Sequence, residues 1–379
     1  MKKFISLFIA AIVMATSLSA CSSVNNGTKA GGDKIQIVAT IFPEYDWVMN
    51  VLGENPADAE VTMLLGNGVD LHSYQPAADD ILKISTCDLF IYVGGESDGW
   101  VENALAEVAN KDMAVINLLD VLGDSVKGEE IVEGMQEEEH DHAHEEGENH
   151  EAEEGEAHGA EDVESYGAED VEPHGAEDVE THVAEEVEPH SEEERHGEDE
   201  LEYDEHVWLS LRNAATLVQN ISDSVQSIDP DNAEIYRSNT KAYIEKLNSL
   251  DEEYKTAVQN ASFRTLLFGD RFPFRYLVDD YGLDYYAAFA GCSAETEASF
   301  ETITFLAQKA DELGLPAVMT IEGTDRRIAE TVVQNTKDKD TRILTMDSMQ
   351  GVTSEDVQNG TTYLSVMENN LSVLRDALK

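Results

Sequence analysis

Apolar and polar positions along the chain fall into two α/β runs separated by a stretch with almost no apolar pattern. In the first run KIQIVAT (Lys34 to Thr40) predicts a strand, FPEYDWVMNVLGE a helix stopped at Gly53, and AEVTMLL (Ala59 to Leu65) a second strand. AADDILKISTC then reads as a helix, DLFIYVGG as a buried strand, GWVENALAEVANK as a helix and MAVINLL as a fourth strand. Short apolar strands alternating with helical spacing argue for a parallel sheet covered by helices.

The second run opens with helical spacing over VWLSLRNAATLVQNISDSVQSID and a longer helical stretch from Asn232. The latter approaches thirty residues, about 45 Å at 1.5 Å per residue, enough to cross a domain. Strands at RTLLFG, DYYAAFAG, AVMTIE and RILTMD follow, with helices near Arg275 to Tyr281, from Phe300 to Leu313 and from Asp325, and a closing helix TYLSVMENNLSVLRDAL. The pattern predicts an α/β protein of two (β/α) lobes, residues 34–228 and 261–379, joined by a single long helix at 230–260. At 379 residues with 41% hydrophobic content, two cores are within reach.

The ends and the middle change this picture. MKKFISLFIAAIVMATSLSAC has two lysines, an apolar run too short to span a bilayer, and small residues before Cys21, the pattern of a secretory signal over residues 1–20. Leu18-Ser19-Ala20-Cys21 resembles the bacterial lipobox, which makes Cys21 the expected lipidation site. The polar, glycine-bearing stretch 21–33 suits a flexible tether. The expected location is therefore extracytoplasmic, held at the bacterial cell membrane by a lipid anchor only. Cys87 and Cys292 are the other thiols, and in that compartment a disulfide between them is open to consideration.

Of the formal charge of −55, −34 falls in residues 129–205, where 35 acidic residues face only Arg195, and −21 is left for the rest. Nine of the 11 histidines lie there too, between His140 and His196, and from His158 to His190 the chain repeats every eight residues (HGAEDVES, YGAEDVEP, HGAEDVET, HVAEEVEP). Each unit has one alanine and one or two valines to bury, too little to offset ordering entropy. The composition predicts a disordered, solvent-exposed loop over 129–204. A polyanion of this kind is repelled by nucleic acid and anionic lipid and attracts cations. His140, His142 and His144, with His150 beyond them, are dense enough to hold zinc weakly as an auxiliary loop.

The two histidines outside the insert stand in loops. His72 follows the second strand in GNGVDLHSYQPAADD, and His206 follows the insert in YDEHVWLS; each is flanked by an acid and an aromatic residue. Loops at the carboxyl ends of parallel strands are where α/β folds place ligands. Here the chain resembles the metal-binding receptors of zinc and manganese ABC importers. The motifs that carry the resemblance are Asp70-Leu71-His72-Ser73-Tyr74-Gln75-Pro76, Glu205-His206-Val207-Trp208-Leu209-Ser210, Tyr281-Gly282-Leu283, the loop GCSAETEAS from Gly291 to Ser299, and Asp347 before the closing helix.

The resemblance implies a metal site in the interlobe cleft, with His72 and His206 as ligands and Asp347 as a further one. It also implies Zn2+ as the captured ion, Mn2+ being the alternative, and a monomer that delivers it to an ABC permease and its ATPase. An acidic histidine-rich loop directly before the second histidine is a mark of the zinc members. The chain departs from the pattern at Arg271, which stands where such receptors present a third ligand; a guanidinium has no lone pair to give. Asp270, Cys292 and Glu322 are the candidates to replace it. No convincing catalytic signature such as GxSxG or HExxH is found, and the expectation is a binding protein, not an enzyme. The alternatives are a manganese or iron receptor of the same kind, or a surface zinc-buffering or adhesion protein without transport.

Overall fold

The computed structural model describes residues 34–53, 59–106, 108–136, 202–293 and 297–379. The expected signal, tether and octapeptide repeats, with Cys21, His140, His142, His144 and His150, lie outside the described residues.

Two four-stranded parallel sheets form. β1 (Ile35–Ala39), β2 (Ala59–Met63), β3 (Leu89–Tyr92) and β4 (Ala114–Asn117) are ordered β2-β1-β3-β4; β5 (Thr265–Arg271), β6 (Asp284–Phe289), β7 (Ala317–Ile321) and β8 (Arg342–Met346) are ordered β6-β5-β7-β8. The two sheets thus repeat one topology, in which the first strand of each lobe lies inside and the second at the edge. Registers such as Ile37↔Leu89 and Val318↔Ile343 pair β-branched and aliphatic side chains along the strands. With helices on the sheet faces these strands read as near-continuous apolar runs, as LFIY in β3 does.

The connecting helix runs Ala233–Gln259, 27 residues, about 40 Å. Its buried positions Tyr236, Thr240, Tyr243, Leu247, Leu250, Tyr254 and Val258 recur every three or four residues, one stripe of an amphipathic helix. Tyr243 donates to Asp46 of the first lobe (3.2 Å) and Tyr254 to the Met367 carbonyl of the closing helix (2.6 Å), so one rigid element is pinned to both lobes. Trp47 packs edge-on against Tyr363 at 5.3 Å, and one hydrophobic core runs through both lobes.

The insert is narrower than composition suggests. Residues 129–136 and 202–204 are described and packed. Gly128 bridges Tyr203 in antiparallel fashion, through Glu129 N–H to the Glu202 carbonyl (2.8 Å) and Asp204 N–H to the Lys127 carbonyl (2.9 Å). Gln136 N–H donates to the Ala288 carbonyl of β6 (3.0 Å), and Glu130 receives Tyr285 and Arg275. Acidic composition alone misses this, because backbone pairing and a few apolar side chains such as Met135 settle the segment's ends. Among the described residues no helix is long and apolar enough to cross a membrane.

Candidate metal centre

His72 sits in a 3-10 turn, Leu71–Ser73, beyond the end of β2. Leu71 is buried beneath the turn, and the Asp70 carboxylate accepts the His72 backbone N–H (3.0 Å), the usual reason an aspartate starts such a turn. The ring Nδ1 is 2.7 Å from Ser97 Oγ and 3.5 Å from Glu205 Oε2. In the tautomer whose Nδ1–H donates to Ser97, Nε2 keeps its lone pair.

His206 is fully buried at the start of the turn Val207–Leu209. Asp204 Oδ1 accepts both its backbone N–H (2.9 Å) and its Nδ1–H (3.0 Å). A carboxylate that fixes an imidazole through one nitrogen presents the other to a metal. The turn is itself held across the cleft: Trp208 donates to the Ser348 carbonyl (2.8 Å), Tyr363 to the Trp208 carbonyl (2.6 Å) and Tyr276 to the Asp204 carbonyl (2.8 Å).

The two Nε2 atoms face each other at 3.3 Å. In the tautomers that turn both Nδ1–H groups outward, two lone pairs meet there, the arrangement that ligation requires. Two nitrogens at about 2.0–2.1 Å on a tetrahedral zinc ion stand roughly 3.3–3.4 Å apart. The donor spacing therefore fits zinc without rearrangement.

Cys292 completes the group. Its Sγ, one nitrogen of His72 and one of His206 all lie within 4.8 Å of one another. The loop that carries it follows β6, and Glu129 Oε1 accepts its backbone N–H (2.9 Å). Gly291 is required here: a Cβ would stand 2.9 Å from the Phe272 carbonyl oxygen and 3.2 Å from His206 Cε1, so only glycine lets the loop come this close. Gly95, with φ +81°, serves the opposite wall, since a Cβ would meet Glu205 Oε1 at 2.3 Å.

Burial and the nearby His206 push the His72 pKa down to about 3, so its imidazole is neutral and able to ligate at any ordinary pH. Burial, with Asp204, Glu129 and Glu205 around it, pushes the Cys292 thiol up. Those same carboxylates would welcome a divalent ion, which displaces the thiol proton on binding. Asp204 and Glu205 are each 2% exposed, and Glu205 Oε1 accepts the Ser97 N–H (2.9 Å). Soft thiolate with imidazole suits zinc better than manganese.

The other sequence candidates are turned elsewhere. Asp347 Oδ1 caps the Met349 N–H (2.7 Å), and burial beside Glu322 pushes its carboxyl up to about 6. Glu322 is engaged by the Ser348 N–H (2.7 Å), Ser348 hydroxyl (2.6 Å) and Gln350 N–H (3.2 Å). Asp270 accepts the Arg271 N–H (3.0 Å), the Ile321 N–H (3.3 Å) and the Thr324 hydroxyl (2.9 Å). None of these three joins the donor group among the described residues. Arg271 pairs with Asp70 across the cleft, not with Asp270. Cys87 is buried, its thiol donating to the Ile84 carbonyl (3.2 Å), and both cysteines are free, so the disulfide does not form. Sequence reading passed over Ser97, Glu129 and Asp204 as supports; only the acid beside His206 left a signal.

The model of the zinc-uptake family, described as the periplasmic component A of the zinc-uptake complex, matches residues 37–377. The chain belongs to this zinc-uptake family. Among its relatives, the zinc-binding lipoprotein AdcA of Streptococcus pneumoniae (strain ATCC BAA-255 / R6) is 30% identical over 377 residues, 99% of this chain and 61% of that protein. The chain thus falls well short of the full length of AdcA. The high-affinity zinc uptake system protein ZnuA of Bacillus subtilis (strain 168) is 28% identical over 378 residues, 100% of this chain and 98% of that one. Of solved zinc-uptake structures, the Zn(II)-bound ZnuA-like domain of Streptococcus pneumoniae AdcA superposes with a TM-score of 0.60 at 25% identity, covering 91% of this chain and 99% of that domain.

Proposed function

We propose that this member of the zinc-uptake family is an extracytoplasmic receptor that captures Zn2+ between its lobes and delivers it to an ABC permease driven by its ATPase. The ion is held by His72, His206 and Cys292. The observation that carries the reading is the 3.3 Å separation of two imidazole nitrogens, each ring having on its far nitrogen a partner that can accept the N–H. Family membership and the Zn(II)-bound AdcA domain support the same cargo. Capture and release need no nucleophile or general base. The chain works as a monomer tethered by a lipid on Cys21, with the acidic repeats as a weak zinc collector.

Asp347, the remaining ligand expected from sequence, is left out of this set because its carboxylate already caps a turn. The manganese alternative fares worse beside a cysteine. The test is a zinc titration of a chain lacking residues 138–200: one tight site survives if the cleft is the receptor site, whereas loss of all tight binding would leave only a surface buffer. Membrane fractionation of Cys21→Ala checks the anchor, which predicts release into the soluble fraction.

A further inference from the structure

Residues 347–354, the segment that follows β8, reach across the cleft to both histidine-bearing stretches of the first lobe. At one end the Ser348 carbonyl accepts the Trp208 indole N–H (2.8 Å), and the Trp208 ring lies 5.2 Å from the His206 ring. At the other end the Ser354 N–H donates to the Gly66 carbonyl (2.8 Å) and Thr353 bridges Asn67, on the stretch that leads from β2 to His72. Between these anchors Met349, Gln350 and Val352 close around one small cavity with Leu71 and Trp208, neighbours in sequence of the two donors. Met349 is 2% exposed and holds φ at +66°, a left-handed conformation that a residue with a side chain adopts at a cost and keeps only where its surroundings enforce it. Glu322, just beyond β7, enforces it. Its carboxylate accepts the N–H on each side of Met349, from Ser348 (2.7 Å) and Gln350 (3.2 Å), and the Ser348 hydroxyl as well (2.6 Å). Asp347 takes the Met349 N–H itself (2.7 Å), a bond that an amide oxygen could equally accept.

We propose that the turn at Ser348–Gln350 is the latch of the closed cleft and that Glu322 is its positioning residue. Glu322 lies outside the donor group. It fixes the Ser348 carbonyl where Trp208 reaches it, and so holds the His206 turn at the spacing from His72 that zinc fits. The turn belongs to the second lobe and its anchors to the first, so parting the lobes here breaks the bonds to Trp208 and Gly66. The latch therefore governs how long zinc stays. The inference rests on the zinc reading above and adds to it the group that controls release.

The test uses the full chain loaded with one zinc and mixed rapidly with an excess of a chromogenic chelator, which reads both the release rate and the zinc held per chain. Glu322→Gln keeps the side chain's size but sets an amide NH2 among groups that only donate, and should speed release roughly tenfold or more, the worth of a hydrogen bond to a charged group. Trp208→Phe keeps a ring beside His206 and loses the bond to Ser348; it should speed release about threefold to tenfold, and it carries the test if Glu322→Gln fails to fold. The two together should release zinc little faster than Glu322→Gln alone, because both act through the Ser348 carbonyl. A chain that merely folds less well holds fewer zinc ions but releases each at the parent's rate, so the rate separates positioning from stability. Release at the parent's rate from either variant overturns the proposal, as do effects that simply multiply in the double variant. If the parent holds no zinc, or His206→Ala holds it equally well, the zinc reading falls and this inference with it.

Discussion

The loops on the two sides of the cleft carry similar sets of carboxylates and put them to different uses. On the first-lobe side Asp204 and Glu205 face imidazole nitrogens, and each histidine is oriented by a partner on its far nitrogen. On the second-lobe side Asp270, Glu322 and Asp347 face backbone N–H groups and hydroxyls, so their lone pairs are committed to bracing loops. An acid in a cleft is therefore not a ligand by position; what it already accepts decides. The second lobe contributes its donor through sulfur, from a loop that glycine lets come close.

Four substitutions would break or sharpen that contrast, taken here by falling effect. His206→Ala removes a donor and should weaken zinc by more than the roughly 10–100-fold that losing a supporting group costs; calorimetric titration showing a smaller loss would mean the pair of imidazoles is not the site. Cys292→Ser should weaken zinc at least as much as a lost support and abolish the sulfur-to-metal absorption of the Co(II) form; a band that persists would remove sulfur from the shell. Asp204→Asn keeps shape but loses the charge that orients His206, with an expected loss of about 10–100-fold. Asp347→Asn should leave zinc affinity within about twofold while lowering the melting temperature, and a large loss of affinity would return that carboxylate to the ligand set.

A fifth prediction concerns pH and a carboxyl behind the first-lobe site. Glu44 is fully buried, with Oε2 accepting from Thr40 N–H (2.7 Å), Thr40 hydroxyl (3.0 Å) and Ile41 N–H (3.2 Å). Burial and the neighbouring Asp98 push its pKa from 4.5 up to about 8. The folded chain keeps this proton over a range in which the unfolded chain has lost it. Its stabilising contribution is thus full below about 4.5 and is lost as pH rises through about 8. Melting temperature of the metal-free chain should fall across that window, and Glu44→Gln should flatten part of the slope. Asp98, Asp46 and Asp347, raised to about 7, about 6 and about 6 by their burial, carry part of the remainder. An unchanged slope in the variant would show that Glu44 is ionised in the fold.

Periodicity carried the fold well. All eight strands fall within or beside the segments it marked, and the connecting helix, read at 230–260, runs Ala233–Gln259, because strand alternation and a helical stripe are local signals. The two histidines were legible by isolation, standing alone in strand-end loops. Less legible was what supports them. Asp204 and Glu129 sat inside a run of acids, and composition cannot tell a carboxylate buried against an imidazole from one in solvent. Ser97 reaches His72 over 25 residues, and Arg271 finds Asp70 over 201. Asp347 shows the reverse limit, since an aspartate at a strand end looks the same whether it serves a cation or a turn.

The short ladder between Gly128 and Tyr203 ties the supports of the two donors to each other. Its two backbone bonds join the segments that carry Glu129 and Asp204, which touch the loop of Cys292 and the ring of His206. The number of octapeptide units can therefore be altered without touching either support, which makes repeat number a lever for testing zinc collection separately from the donors.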